Sequence, residues 1–397
     1  MAVINFIQII LLLLLGIATL YFFIFALAGL FYRQPAYSAN PRMNRIAVLI
    51  PGYKEDEVIM EVASDALLQN YPHDLFDVVI IADSFMPETI TQLRELPVKL
   101  VEVSFDKSTK SKALNKAMEY LPDTYDIAVV LDADNVMARD FLLKVNAAIE
   151  NGFMVVQGHR TAKNMNNSMA VLDAASEEIN NNIFRKGHRV LGFSSALIGS
   201  GMAFRYGFFK DLMSTVKAVG GFDKEIELKL LKARHKIEYL DDALVYDEKV
   251  QKEEVFSNQR RRWLAAQIIY FRQEFFKALG DLITKGNFDY FDKAMQFIQP
   301  PRVLLLGAVV LFTALFSVVN MFIWENSFLL FSWLGLFIAC IMVFLFSIPV
   351  SFYNLSTLKA MASLPKGMVL MFLSLMRIRG ANKQFIHTKH TSTGLEK

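Results

Sequence analysis

The stretch from Met1 to Tyr32 contains no charged residue, and no other feature limits the possible folds of this chain so strongly. An uncharged apolar run of that length exceeds the roughly 20 residues a helix needs to cross a bilayer. It is also far longer than the apolar region of a cleaved signal, which would begin with basic residues. It reads as a retained membrane span. The first charges, Arg33, Arg42 and Arg45, follow on its C-terminal side. The positive-inside tendency then sets the N-terminus outside and the next domain in the cytosol, at an inner (plasma) membrane. Two further charge-free runs, Val303 to Trp324 and Ser327 to Tyr353, are separated by Glu325-Asn326 and read as a span out and a span back. Gly367 to Met376 is too short to cross and reads as an interfacial helix, followed by a basic tail with Arg377, Arg379, Lys383 and Lys389.

Composition supports a hybrid of membrane and globular parts. Of 397 residues, 54% are hydrophobic and 34 are Phe, too apolar for an ordinary soluble enzyme, yet the middle is too charged for a pure helical bundle. A net charge of +3, with no basic patch interleaved with aromatics, argues against nucleic acid as a partner. The single Cys340 excludes an intrachain disulfide and leaves the redox compartment open. The expected organisation is a span over 1–32, an α/β domain over 33–250 and amphipathic interface helices over 251–301. Two spans over 302–353 follow, then an interfacial helix with its tail over 354–397.

Within the middle, short apolar runs alternate with helical patterns. Arg45 to Ile50, Asp77 to Ile81, Val98 to Val103 and Ile127 to Leu131 read as strands. Helical patterns follow the first through Gln69 and span Lys112 to Tyr120 after the third. That alternation predicts βαβ units, an α/β fold and a mostly parallel sheet, whose ligands lie beyond the carboxyl ends of the strands. Tyr53, Glu55, Asp83, Asp132 and Asp134 all fall there. On extended backbone alternate side chains point the same way, so Asp132 and Asp134 are expected to face one ligand. Two hard oxygen donors suit Mg²⁺ or Mn²⁺, which bind through one or two carboxylates plus substrate phosphates. A turn without a metal is the plainer reading of Asp-x-Asp.

Seven strings then occur in order: Pro51-Gly52-Tyr53-Lys54-Glu55, Ala82-Asp83-Ser84, Lys110-Ser111-Lys112-Ala113-Leu114-Asn115, Leu131-Asp132-Ala133-Asp134, Val156-Gln157-Gly158, Gly199-Ser200-Gly201-Met202-Ala203-Phe204-Arg205 and Gln259-Arg260-Arg261-Arg262-Trp263. With them the chain, over roughly 45–265, resembles the membrane-bound family 2 glycosyltransferases, the group of the cellulose, chitin and hyaluronan synthases. The resemblance implies a glycosyltransferase-A type, Rossmann-like domain on the cytosolic side. It implies that Tyr53 and Glu55 hold the base and ribose of a UDP-sugar, that Asp83 accepts hydrogen bonds from uracil, and that Lys110 or Lys112 sits near the diphosphate. Asp134 would be the closer metal ligand, with Asp132 divided between metal and ribose.

The same resemblance implies that Gln259, Arg262 and Trp263 serve the site, Arg262 on the diphosphate and Trp263 beneath the acceptor sugar. Arg260 and Arg261 are free to face lipid phosphates, because consecutive residues on a helix point about 100° apart. The helix continues as an amphipathic run through Ile268, Phe271, Phe275, Leu279 and Ile283 until Pro300-Pro301. Relatives carry an acidic pair whose Asp is the general base. Here the run is Gly220-Gly221-Phe222-Asp223-Lys224-Glu225-Ile226-Glu227-Leu228, which puts Glu225 at the base position, with Asp223 as second choice. The acids Asp241-Asp242 and Asp247-Glu248 read as loop and strand-end charges.

The function these readings converge on is an inverting, metal-dependent transfer of a sugar from a UDP-sugar to a carbohydrate or lipid-linked acceptor at the bilayer. Repeated addition to a β-linked polysaccharide is favoured by the Gln259 to Trp263 string. Single transfer to a lipid acceptor is the alternative. Three spans can scarcely enclose a polysaccharide channel, so a polymer would require a homo-oligomer or an export partner. A non-catalytic, nucleotide-sugar-sensing membrane subunit on the same fold is the reading from a different class, favoured by the unusual Asp223-Lys224-Glu225.

Overall fold

The computed structural model describes residues 2–38, 41–218, 220–251 and 253–377. The basic residues Arg379, Lys383 and Lys389 of the expected tail lie outside them. Among the described residues eight strands make one sheet: β1 (Ile46–Tyr53), β2 (Phe76–Asp83), β3 (Lys99–Val103), β4 (Ile127–Val130), β5 (Val136–Met137), β6 (Val155–Ala162), β7 (Met202–Arg205) and β8 (Ile237–Asp247). Their order is β3-β2-β1-β4-β7-β6-β8-β5. The strands β1 to β4 pair in parallel, as do β6 and β8. Between these groups β7 is antiparallel to both β4 and β6, and β5 is antiparallel to β8. The mostly parallel α/β sheet read from the sequence is therefore present, interrupted by the reversed β7 and edged by the reversed β5.

The strands are continuous apolar runs because both faces are covered. On one face Val48, Ile50, Val78, Ile80 and Val129 pack with Ile59, Val62, Leu142 and Val145 from the helices Ile59–Ala66 and Phe141–Glu150. On the other, Leu49, Val79, Ile81 and Val130 pack with Leu114, Met118, Phe209 and Ile226 from the helices Lys110–Tyr120, Tyr206–Ser214 and Phe222–Lys232. Burying apolar surface on both sides of one sheet is the main source of stability for such a domain, at roughly 25 cal/mol per Å².

Among the described residues, three helices are long and apolar enough to cross a membrane: Ala2–Gly29, Arg302–Ile323 and Ser327–Ser347. Their outward faces carry exposed Leu13, Ile17, Leu311, Phe328 and Phe331. Inside the bundle Asn320 donates to Gln8 Oε1 at 2.7 Å, and Trp333 Nε1 donates to the same oxygen at 3.2 Å, so one polar clasp joins all three helices. The helices Leu355–Met361 and Leu364–Met376 meet at 50° and pass the same length and apolarity test only as a pair. Each alone is short of a straight span.

The domain is fastened to the bundle by a π-helical segment, Asn181–Gly187, that follows the helix Ser168–Asn180. Asn182 Nδ2 donates to the Ala26 carbonyl at 3.0 Å and to Ser347 Oγ at 3.3 Å, gripping the ends of two apolar helices at once. At Gly187 a Cβ would fall 2.0 Å from the Phe25 carbonyl oxygen. Only glycine permits that approach. Gly187→Ala is expected to destabilise the protein by at least about 1–3 kcal/mol, the usual range for overpacking a tight contact. A lowered Tm of the detergent-solubilised protein checks it, and an unchanged Tm would contradict this account of the contact.

Beside this segment His159 on β6 is flanked by Glu178 (3.1 Å) and Asp241 (3.0 Å). Burial alone would lower its pKa, but the two carboxylates outweigh burial and raise it from 6.5 to about 9. A raised folded-state pKa gives stability that is complete below about 6.5 and is lost as pH rises through about 9. The expected loss over that window is on the order of 3 kcal/mol. Urea unfolding between those pH values reads it, and His159→Asn is expected to flatten the slope.

Candidate active site

The carboxyl ends of the parallel strands open into a cavity of about 670 Å³. Tyr53 ends β1 and Asp83 ends β2, in register with each other. The residue after each, Lys54 and Ser84, has a positive φ, 55° and 59°. A left-handed turn in a residue other than glycine costs of order 1–3 kcal/mol, and such turns cluster at functional sites. Here the two turns direct the chain away from the sheet immediately beyond Tyr53 and Asp83. Asp83 is buried and accepts from Ser84 Oγ at 2.9 Å.

Asp132 and Asp134 both line the cavity. They do so differently from the sequence expectation. The strand β4 stops at Val130, and 132–135 form a turn closed by the Asn135 amide on the Asp132 carbonyl at 3.2 Å. Alternation along extended backbone is therefore not what brings the carboxylates together. Side-chain hydrogen bonds hold the turn instead. Asp132 N–H donates to Ser200 Oγ at 2.9 Å, Ser200 Oγ donates to Asn135 Oδ1, and Asn135 Nδ2 reaches Asp247 at 2.9 Å and Asp134 at 3.4 Å. Asp134 is buried, while the Asp132 side chain keeps 36% of its surface exposed.

Lys110 begins the helix Lys110–Tyr120 and turns into the cavity, where its ammonium pairs with Asp132 and donates to the Gly199 carbonyl at 2.7 Å. Gly199 has φ of 87°, a conformation that leaves its carbonyl facing Lys110 and that other residues rarely adopt. Lys112 lies outside the cavity lining, with Nζ on the Lys107 carbonyl. Of the two lysines, Lys110 is the one at the site.

Gln259, Arg262 and Trp263 line the opposite wall from one long helix, Glu253–Lys285. Burial lowers the pKa of the Arg262 guanidinium. Arg260 departs from the expectation that it faces lipid. It lines the cavity, pairs with Asp173, and lies over the Trp263 ring at 4.5 Å. The nearby helix Ser168–Asn180 supplies that acid, so the arginine turns inward. The long helix ends at Lys285, and a second helix, Phe288–Ile298, packs back along it before Pro300-Pro301.

Glu225 does not reach the cavity. It accepts from the Lys217 amide at 3.1 Å and pairs with Lys229 at 3.1 Å, whereas Asp223 lines the cavity. Both sit in the first turn of the helix Phe222–Lys232, and residues two apart on a helix diverge by about 200°. The cavity position therefore belongs to the second choice. Glu227, in the same helix, is buried against Lys293 at 2.8 Å. Its pKa is raised by burial, which Lys293 only partly opposes.

Asp247, expected from sequence to be no more than a strand-end charge, also lines the cavity. Asp247 ends β8 and, with Glu177, faces Arg160 and Lys249: Arg160 to Glu177 at 2.8 Å, Lys249 to Asp247 at 2.7 Å and Lys249 to Glu177 at 3.6 Å. Burial would raise the two carboxyl pKa values, but the surrounding cations reverse this and hold both below the usual carboxylate range. Asp247 had the same signal as Asp83, an acid at the end of an apolar run. Its neighbours Asp241-Asp242 and Glu248 made the run look like ordinary loop charge. Asp247 also steadies Asn135, and hence the turn that carries Asp132 and Asp134.

Comparison with known proteins agrees with this geometry. The family described as Glycosyltransferase like family 2 matches residues 41–266, more than half of the chain. A curated protein of Bacillus subtilis (strain 168), the Probable glycosyltransferase YdaM, is 23% identical over 272 residues, covering 65% of this chain and 64% of that protein. The chain thus spans somewhat under two thirds of that relative's length. Among solved structures, the mannosyltransferase PcManGT from Pyrobaculum calidifontis in complex with GDP-Man and Mn²⁺ is similar in fold. Its TM-score is 0.56 at 17% identity, over 94% of this chain and 97% of that one. Sheet, site and profile together place this chain in glycosyltransferase family 2.

Proposed function

We propose that the protein transfers a sugar from a UDP-sugar to a membrane-associated acceptor on the cytosolic side of the bilayer, with inversion at the anomeric carbon. The observation that carries this reading is that Tyr53, Glu55, Asp83, Lys110, Asp132, Asp134, Asp223, Gln259, Arg262 and Trp263, which lie far apart in sequence, line one cavity. Its volume lies within the usual 300–1,000 Å³ range of small-molecule sites.

The donor set fits a divalent ion. Asp132 and Asp134 offer hard oxygens, and among the described residues no group of three or more His, Cys, Asp or Glu side chains could hold a metal by itself. Two carboxylates completed by diphosphate oxygens and water is the usual arrangement for Mg²⁺ and is open to Mn²⁺. When bound there, the ion would supply neutralisation of charge on the departing diphosphate. The protein's own groups do the rest. The Tyr53 ring and the Asp83 carboxylate hold the base. Lys110 and Arg262 bring positive charge to the diphosphate, Arg262 with a guanidinium suited to two-pronged contact. Asp223 takes the proton from the acceptor hydroxyl as that oxygen bonds to the anomeric carbon and the bond to UDP breaks. Trp263 offers an apolar face beneath the acceptor sugar.

Two acceptor readings follow. The Gln259 to Trp263 string argues for repeated addition to a β-linked polysaccharide. Three candidate spans among the described residues, too few to enclose a polysaccharide channel in one copy, argue for transfer to a lipid acceptor. Gel sizing of the product separates them. The transferase reading itself is tested by nucleotide release from a panel of UDP-sugars and GDP-mannose with Mn²⁺ and native membrane lipids. UDP release that depends on Mn²⁺ is expected. Nucleotide binding without release of UDP or GDP from any donor would sink it in favour of the sensing subunit.

A further inference from the structure

The contacts of the Lys110 ammonium join two parts of the site. Its backbone is fixed at the first turn of a helix, where the N-cap Thr109 Oγ1 accepts from the Lys112 amide at 3.3 Å. An ammonium has three donors and no acceptor, so it seeks oxygens on every side. Here it donates to Asp132 Oδ1 and to the Gly199 carbonyl at 2.7 Å, and it lies 5.2 Å from the centre of the Phe222 ring. A Cβ on Gly199 would lie 3.6 Å from Phe222 and 3.7 Å from Asp223. Lys110 therefore bridges the turn that carries Asp132 and Asp134 to the loop packed on Asp223.

The carboxylate that Lys110 holds is the more open of the two. Asp134 is buried, whereas the Asp132 side chain is 36% exposed and so is the one an arriving ion meets first. Among the described residues Asp132 is the ion-pair partner of Lys110. A carboxylate oxygen already committed to an ammonium is a poor ligand for a second cation, because the two positive charges repel at close range in a site partly shielded from water. The charge balance makes the same point. A divalent ion added alone to Asp132, Asp134 and Lys110 leaves the group net positive. The ion together with a diphosphate carrying two negative charges leaves the balance unchanged, and the diphosphate gives the ammonium a new partner.

We propose that Lys110 is a built-in counter-cation of Asp132 that rejects a divalent ion arriving alone and yields to one arriving with a diphosphate. The lysine then serves twice, first by guarding the carboxylate and afterwards by holding the donor. The proposal rests on the transferase reading and states how that site is loaded: metal and nucleotide sugar enter as a pair. Coupling of this kind is reciprocal, so the nucleotide raises metal affinity by the same factor as the metal raises nucleotide affinity. Removing the ammonium is expected to move the two affinities in opposite directions. Metal alone binds better, since its competitor is gone, and nucleotide binds worse, since its diphosphate has lost a partner. A lysine that merely held the fold together would on removal weaken both.

The test uses the full chain in lipid nanodiscs and measures bound Mn²⁺ by electron paramagnetic resonance, with Mn²⁺ alone, with uridine and with UDP. Wild type is expected to bind Mn²⁺ at least about tenfold tighter with UDP than alone or with uridine, within the usual range of coupling between sites. Lys110→Met is expected to bind Mn²⁺ alone at least about tenfold tighter than wild type, the size of one charge-assisted pair, and to bind UDP more weakly. Lys110→Gln keeps a donor for the Gly199 carbonyl and is expected to behave in the same way, which guards against a folding defect in the first variant. Lys112→Met removes the same charge two residues on, outside the cavity lining, and is expected to stay within about twofold of wild type, because an exposed charge is screened. If both Lys110 variants bind Mn²⁺ alone no better than wild type, or if Lys112→Met gains as much as they do, the proposal is overturned. Wild type that binds no Mn²⁺ even with UDP would instead count against the transferase reading on which the proposal rests.

Discussion

Asp134→Asn is expected to lower turnover by on the order of 10³-fold, with Tm little changed, because a bound divalent ion supplies several kcal/mol at a developing charge and each 1.36 kcal/mol is tenfold in rate. Asparagine has nearly the same volume and can still engage Asn135, which lies 3.4 Å from the Asp134 carboxylate. The turn at 132–135 also keeps its other ties, to Ser200 and Asp247. The loss should therefore appear in kcat and in metal dependence, with folding spared. Asp132→Asn is expected to act similarly, and it also releases Lys110 from its ion pair. UDP release at saturating donor, measured across Mn²⁺ concentrations, reads both. Turnover within tenfold of wild type in Asp134→Asn would contradict the assignment.

Asp223→Asn is expected to reduce kcat by about 10²–10⁴-fold, the usual contribution of a positioned general base. Glu225→Gln is expected to stay within about threefold in kcat. Its carboxylate serves the Lys217 amide and Lys229, away from the cavity, so that change touches stability before chemistry. The contrast decides between two residues that sequence alone ranked in the opposite order. A pH–rate profile adds a control, since loss of a base removes the acidic limb in Asp223→Asn and leaves it in Glu225→Gln. If Glu225→Gln proves the slower variant, the cavity wall is misassigned.

Much of this was legible in the residues because the physics was local. The runs Ile46–Ile50, Val78–Ile81 and Ile127–Val130 are apolar at every position, which only a strand covered on both faces requires, and the structure covers both. The acids and aromatics at their carboxyl ends met at the rim because parallel strands end on one side. What stayed hidden depended on contacts distant in sequence. The short β7 reverses direction, which no periodicity in four residues reveals. The helical phase that turns Asp223 inward and Glu225 outward is set by Gly221, whose φ of 71° fixes where the helix starts. Arg260 turns inward because Asp173, 87 positions away in the chain, waits for it. Asp247 reads from sequence as a strand-end charge, because a charge reveals its role only when its partners, here Asn135 and Lys249, can be seen.

The central claim is that Asp132 and Asp134 hold a divalent ion together with the diphosphate of a sugar nucleotide. Electron paramagnetic resonance of Mn²⁺ added to the purified full-length protein tests it most directly. Little bound Mn²⁺ is expected without nucleotide, a bound signal should appear on adding UDP, and that signal should vanish in the Asp132→Asn, Asp134→Asn double variant. Mn²⁺ binding that is indifferent to UDP, or that survives in the double variant, would contradict the account.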